Sequence, residues 1–264
     1  MIYLYLKYLE YLRIGDTDIC SIPSEIGKLS NLKTLSVGGH QVTTIPKDIE
    51  NLVNLTSIDL WGAKLRDVEV DFSYLENLIT AFMSLNDYYG FAQGLSKLKK
   101  LRHLYYLSTM SQFPDEIREM TQLESLSFTY SYMQGVHIPS WLSELTNLTY
   151  LSLYGCGLVG AIPEELGKLV NLERLSLGAN NLSGTIPETF AQLTKLQELD
   201  IKYANLYGSI PQAIVKMPWF QYRWGELLLG NQFDLSEIEL VGPEFIVTDI
   251  NGNTVSSKNI YESN

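Results

Sequence analysis

Leucines and isoleucines recur along most of this chain at a fixed spacing, with polar residues between them. The plainest case is residues 148–187, LTYLSLYGCGLVGAIPEELGKLVNLERLSLGANNLSGTIP, which reads twice. Leu148, Leu151, Leu153, Cys156 and Leu158 return 24 residues later as Leu172, Leu175, Leu177, Asn180 and Leu182, and Ile162-Pro163 returns as Ile186-Pro187. In L-x-L, side chains alternate inward and outward along a short strand; the flanking leucines then take the chain round a corner. A single unit has nothing to bury its leucines against, so neighbouring units must stack.

Aligning every unit on its second leucine gives Leu12, Leu35, Ile58, Ala81, Leu104, Leu126, Leu151, Leu175 and Leu199, hence nine strands at intervals of 23, 23, 23, 23, 22, 25, 24 and 24. The extra residue of the late units falls before Ile-Pro, where they read GAIP, GTIP and GSIP against CSIP and TTIP earlier. After each Ile-Pro comes a segment such as EELGKLVNL, with apolar residues three apart. That period suits a short helical or 3₁₀ turn entered at proline. Strands on one side and tight turns on the other differ in width, which predicts a curved stack. Residues 84–115 are the least regular: SLNDYYGFAQG replaces the Ile-Pro turn, and HLYYLSTMSQFP compresses the next unit. A bulge or displaced strand is expected there.

Both ends are expected to be incomplete. Leu6 aligns with Leu29, so residues 1–8 read as the back half of a missing unit with no polar cap, and the chain is expected to be a piece of a longer protein. The frame fades at MPWFQYRWGELLLGNQF, where Trp219, Phe220, Tyr222 and Trp224 are placed to cover the last turn. Asn251-Gly252, between two β-rich runs, is a hairpin signal. The expected division is 1–216 for the repeats, 217–241 for a C-terminal cap and 242–264 for a hairpin tail.

L-x-x-L-x-L-x-x-N/C-x-L is the signature of leucine-rich repeats, and residues 6–215 resemble that family. The fold this implies is an α/β solenoid of about nine repeats, with parallel strands on the concave face and short helical or 3₁₀ turns on the convex face. LVGAIP, LSGTIP and LYGSIP resemble the plant-type variant. The chain lacks the cysteine-paired caps of plant receptor ectodomains, so the resemblance implies a bacterial surface or envelope protein. The tail, GPEFIVTDINGNTVSSKN, is similar to the opening hairpin of thioredoxin-like proteins of the peroxiredoxin and thiol-disulfide reductase type; a capping hairpin is the alternative.

The formal net charge of −11 argues against nucleic acid, whose binding needs a basic footprint. No apolar run is long enough to span a bilayer as a helix. Cys20 and Cys156 fall six repeats apart, too far to bridge, so two free thiols are expected. His40, His103 and His137 show no metal-ligand spacing, and no metal or cofactor is expected. Gly155-Cys156-Gly157-Leu158-Val159-Gly160 spells G-x-G-x-x-G, but Pro163 follows where a dinucleotide fold needs a long helix. The repeat's asparagine position holds Thr17, His40, Ala63, Asn86, Ser131, Cys156, Asn180 and Ala204. A side chain there points inward and can donate to carbonyls that the corner leaves unpaired; Ala63 and Ala204 cannot, so water or a neighbour must serve them. Asn54, Asn147 and Asn181 lie in glycosylation sequons that the N-L-x-x-L consensus generates by itself.

The outward residues beside the strand leucines are rich in aromatics. Trp61, Phe82, His103, Tyr105, Tyr130, Tyr150, Tyr154 and Tyr203 are the candidate binding residues, since Tyr and Trp supply large, stiff, amphipathic contacts. Tyrosine also suits strands anyway. The expectation is a non-catalytic recognition module that binds a protein, or less readily a glycan, through repeats three to seven. The alternatives are docking of a thioredoxin-like reductase beyond residue 264 and a structural spacer.

Overall fold

The computed structural model describes residues 6–15, 19–38, 42–63, 65, 69–89, 91–220, 229–234, 246–248 and 254–256. The chain divides into two compact units, Met1–Met133 and Gln134–Asn264.

In the first unit six parallel strands lie side by side: β1 (Tyr11–Ile14), β2 (Thr34–Val37), β3 (Ser57–Leu60), β4 (Thr80–Tyr89), β5 (His103–Thr109) and β6 (Ser125–Ser127). Their register sets Leu12, Leu35, Ile58, Ala81, Leu104 and Leu126 opposite one another in a single row. From Leu35 onward every residue of that row is fully buried, and each leucine contributes about 2 kcal/mol by leaving water. The second unit continues the pattern with β7 (Tyr150–Ser152), β9 (Arg174–Ser176) and β11 (Glu198–Asp200), which align Leu151, Leu175 and Leu199. Each of the nine leucine positions read from the sequence therefore centres a strand.

The first eight of these nine strands are each followed by a 3₁₀ turn, among them Ser24–Lys28, Lys47–Asn51, Asp115–Glu119, Glu164–Lys168 and Glu188–Gln192. Proline stands just before each of these, extended and outside the turn rather than in it. The three-residue period has a direct cause in successive backbone bonds. Ile26 N–H donates to Pro23, Leu29 to Ile26 and Leu32 to Leu29, at 2.9–3.1 Å, and the same apolar residues point inward. On the outer surface an amide ladder ties each turn to the one before: Asn31, Asn54 and Asn77 donate to the carbonyls of Lys7, Ser30 and Val53 at 2.6, 2.8 and 2.9 Å. The asparagine of the Asn54 sequon thus has a structural task.

Regularity fails where the sequence does. β4 and β5 outrun the other strands, and their pairing slips between Leu85 and Tyr89. Behind them large rings replace leucines. Tyr106, 1% exposed, accepts the Ala92 N–H on its hydroxyl at 2.8 Å. Its ring lies 5.1 Å from Phe91 and 6.1 Å from Phe128, which meets Phe113 edge-on at 5.6 Å. The lost Ile-Pro corner leaves more room than leucine fills, and interiors close to crystal-like density.

The late repeats carry a second ladder. β8 (Val159–Ala161) pairs in parallel with β10 (Asn181–Ser183), and β12 (Tyr207–Ser209) with β13 (Gln232–Asp234). These segments hold the residue that the early repeats lack; there the corresponding contact is the single bridge Ser21–Thr44. Gly160 and Gly208 sit mid-strand and Gly184 just after β10, all with φ 82°, a conformation that glycine reaches without a side-chain penalty. The G of L-x-G-x-I-P is therefore a backbone requirement.

Repeat geometry also runs past residue 216. A short helix, Gln212–Val215, follows Pro211, and Leu229–Asp234 then forms another corner. Gly230 has φ 70° and Phe233 is buried. Phe220 is buried and meets Trp219 edge-on at 6.1 Å; Tyr222 and Trp224 lie outside the described residues. β14 (Ile246–Thr248) and β15 (Thr254–Ser256) pair antiparallel around Asn251-Gly252.

Candidate functional site

β5 alternates over its whole length: His103, Tyr105, Leu107 and Thr109 are half-exposed, while Leu104, Tyr106 and Ser108 face the core. Extending that alternation through the register defines two outward rows in the first unit. One holds Thr34, Ser57, Thr80, His103 and Ser125; the other holds Ser36, Asp59, Phe82, Tyr105 and Ser127. The fold thus brings Asp59, Phe82, His103 and Tyr105 together on three adjacent strands.

Phe82 and Tyr105 are stacked, ring centroids 4.4 Å apart and planes within 9°. Such a pair contributes about 1 kcal/mol beyond its burial and forms a stiff ridge among hydroxyl side chains. His103 Nδ1 is 3.0 Å from Ser125 Oγ, which fixes the imidazole beside the ridge. Trp61, 43% exposed, follows β3; its N–H donates to Asp59 Oδ1 at 2.9 Å, and Ser36 Oγ donates to Oδ2 at 2.9 Å. Both oxygens of that carboxylate are therefore held.

In the second unit Tyr150 and Tyr154 lie on the same repeat. The Arg174 guanidinium sits 5.2 Å above the Tyr150 ring, a cation–π contact. The Tyr154 ring lies over Gly178, where an added Cβ would meet Tyr154 Cε2 at 3.1 Å. Asp200 repeats the Asp59 arrangement, accepting from Ser176 Oγ and the Lys202 N–H, both at 3.2 Å. Tyr203 donates its N–H to the Leu229 carbonyl at 2.6 Å and lays its ring against Gly230, so it also covers the following turn.

Backbone geometry singles out two of the predicted residues. One corner position holds Gly62, Tyr130, Gly155, Ala179 and Tyr203, with φ of 85°, 61°, 67°, 52° and 55°. Glycine costs least there; a bulky side chain in the left-handed region costs on the order of 1–3 kcal/mol. Tyr130 is also 64% exposed. Tyr130→Gly is expected to stabilise the protein by about 1 kcal/mol, read as a higher urea midpoint; a fall in midpoint would show that the ring supports the corner.

At the asparagine position, Asn180 accepts from the Cys156 and Leu158 N–H groups and donates to the carbonyls of Leu153, Leu177 and Gly178, at 2.8–3.1 Å. Asn231 takes the same role two corners on, accepting from Leu206 N–H and donating to Ile201 O. The corner of Ala204 is thus served by a neighbouring side chain. Ser131 donates to the Tyr106 carbonyl and accepts from the Ser108 N–H. Cys156 is buried, with Sγ 3.6 Å from the Tyr154 carbonyl, while Cys20 is exposed; both are free thiols. Thr17 and His40 lie outside the described residues, as does the side chain of Asn86. His137 packs its ring against Gly160. Among the described residues no cluster of His, Cys, Asp or Glu could hold a metal ion, and no helix is long and apolar enough to cross a membrane.

Sequence reasoning passed over Tyr132, 61% exposed and bridged to Thr109 at the end of β5, as well as Leu107 and Thr109. The signal was the alternation in HLYYLST continuing past the usual L-x-L.

A family model described as Leucine-rich repeat region matches residues 4–127, and one described as Leucine Rich Repeat matches residues 147–169 and 171–193. Among solved structures the chain is similar to the Arabidopsis receptor kinase HAESA, determined in complex with the peptide hormone IDA and a co-receptor. Identity is 25% and the TM-score 0.65, over 79% of this chain and 36% of that one. It is similar in fold to an internalin from Listeria monocytogenes (21% identity, TM-score 0.61, 94% of this chain and 71% of that one). It is likewise similar in fold to the ectodomain of the Arabidopsis receptor kinase GASSHO1/SCHENGEN3 (24%, 0.57, 85% and 33%). The chain spans about a third of the length of these plant receptor structures. No curated protein matches it in sequence.

Proposed function

The chain belongs to the leucine-rich repeat family, and from that premise we propose that it is a non-catalytic recognition module binding a peptide or protein through the outward face of its strands. The observation that carries this is the Phe82–Tyr105 stack, set in register beside Asp59 and His103. A stacked pair loses little freedom on binding and offers apolar area at low entropic cost; rigid aromatics of this kind dominate interface energetics. Trp61, Tyr130, Tyr150, Tyr154 and Tyr203 extend the aromatic surface within their own units. HAESA, with its peptide hormone, supports a peptide over a glycan as the ligand class.

Trp61→Ala combined with Tyr105→Ala is expected to abolish capture of the partner in a pull-down from the native source, with the melting temperature lowered by only about 2–4 °C for the lost stack. Capture equal to the parent's would contradict the reading.

A second reading has one observation in its favour. The antiparallel pair β14–β15 is what the start of a thioredoxin-like domain at residues 242–264 would require, following repeats over 1–216 and a cap over 217–241. In that case the repeats dock a reductase. A Cys-x-x-Cys encoded soon after Asn264 would favour this reading, and a stop codon would sink it.

A further inference from the structure

The sharpest chemistry on the outward face lies between β3 and β4. Phe82 has one ring face covered by Tyr105 on the β5 side, so its other face turns toward β3, where Asp59 is its partner in register. Trp61 stands two residues beyond Asp59, exposed. Around them the floor is small: Thr34, Ser36, Ser57 and Thr80. A carboxylate thus stands in register beside an aromatic face, with an exposed tryptophan two residues further along the chain, and these residues frame the notch in which a ligand group would sit.

The carboxylate is preorganised. Ser36 Oγ takes one acceptor site on Oδ2 and the Trp61 N–H takes one on Oδ1. An ionised carboxylate offers about four such sites, so each oxygen keeps one for a ligand while its orientation is fixed. Two parallel acceptor sites next to an aromatic face match a planar guanidinium, which pairs bidentately with carboxylate and stacks on rings. The geometry points to an arginine side chain of a peptide ligand as the occupant, with Asp59 as the residue that determines specificity. This deepens the peptide-binding reading above and rests on it. The charge balance agrees, since a chain of net charge −11 attracts basic segments over the range of the Debye length. Arg13, in the same row as Asp59, is two strands away, about 10 Å at the usual strand spacing, and among the described residues no cation is ion-paired with Asp59. Asp200 is an internal control. Its carboxylate is held in the same way, by Ser176 and the Lys202 N–H, yet β11 is the last strand of its sheet among the described residues, so no ring stands in register on the side that Phe82 occupies beside Asp59.

The test uses a random twelve-residue phage-displayed peptide library panned against the full chain, then against Asp59→Asn, Asp200→Asn and the double variant Phe82→Ala/Tyr105→Ala. Asparagine keeps an acceptor for the Trp61 backbone N–H, and a retained cooperative unfolding transition and far-UV circular dichroism spectrum establish that the variants are folded. The parent is expected to enrich peptides with an arginine at a fixed position. Their affinity should fall about tenfold or more in Asp59→Asn, stay unchanged in Asp200→Asn and vanish in the double variant. Enriched peptides without a basic residue, lost only in the double variant, would overturn the arginine assignment and leave the aromatic face standing. Peptides indifferent to the double variant, or no enrichment at all, would overturn both.

Discussion

Asn180→Ala is expected to destabilise the second unit by about 4 kcal/mol, measured as a lower urea midpoint for its unfolding. Five hydrogen bonds converge on this buried amide. Its removal takes the acceptor from the N–H groups of Cys156 and Leu158, and each stranded buried donor costs about 1–3 kcal/mol. The three carbonyls lose less, because each keeps a second lone pair. Asn180→Asp should be nearly as damaging, since it deletes the donors and buries a charge. By contrast, Cys156→Ala at the equivalent position removes a weak thiol donor and should cost about 1 kcal/mol. An Asn180→Ala loss below that of Cys156→Ala would contradict the ladder account. Stacked repeats need not unfold in one step, so the transition should be followed with a probe in each unit.

The second large effect is in the first unit, at Tyr106. Tyr106→Ala is expected to cost about 3–5 kcal/mol, the range for deleting a buried ring. Phe91 and Phe128 would then face a cavity, and the Ala92 N–H would lose its acceptor. Tyr106→Phe separates the two contributions. It keeps the ring contacts and removes the hydroxyl that accepts the Ala92 N–H, for about 1–2 kcal/mol. Equilibrium unfolding in urea measures both variants; equal losses would mean that the hydroxyl bond carries the whole effect. Because β5 holds Tyr105 and Tyr106 back to back, Tyr106→Ala should also loosen the Phe82–Tyr105 stack.

Much of this architecture is legible in the leucine spacing, because that spacing reports which residues must leave water. It locates all nine strands, and it marks 84–115 as irregular because the Ile-Pro corner is missing there. What it does not report is how an unusual residue is used. Tyr105 and Tyr106 are the same side chain in sequence; alternation sends one outward to stack on Phe82 and the other inward onto Phe128. Left-handed backbone at Tyr130 and Tyr203 is invisible until the corner is aligned with Gly62 and Gly155. The second ladder of the late repeats follows from one inserted residue, whose effect is a pairing and not a change in hydrophobic pattern. Asn231 escaped notice because the interval leading to it is longer than the repeat, although Leu-Gly-Asn-x-Phe preserves the corner chemistry. The asparagine position was the most informative polar site, since a buried amide at a bend has few tasks other than bonding the backbone.

The most direct test of the central claim, that recognition resides on the outward aromatic face, is site-specific photo-crosslinking in the native source. A benzophenone side chain would be placed at Tyr105 in one variant and at Glu116, exposed on a 3₁₀ turn, in another. The account predicts a discrete protein or peptide adduct from the Tyr105 position and none from Glu116. An adduct from Glu116 alone, or the same adduct from both positions, would contradict it.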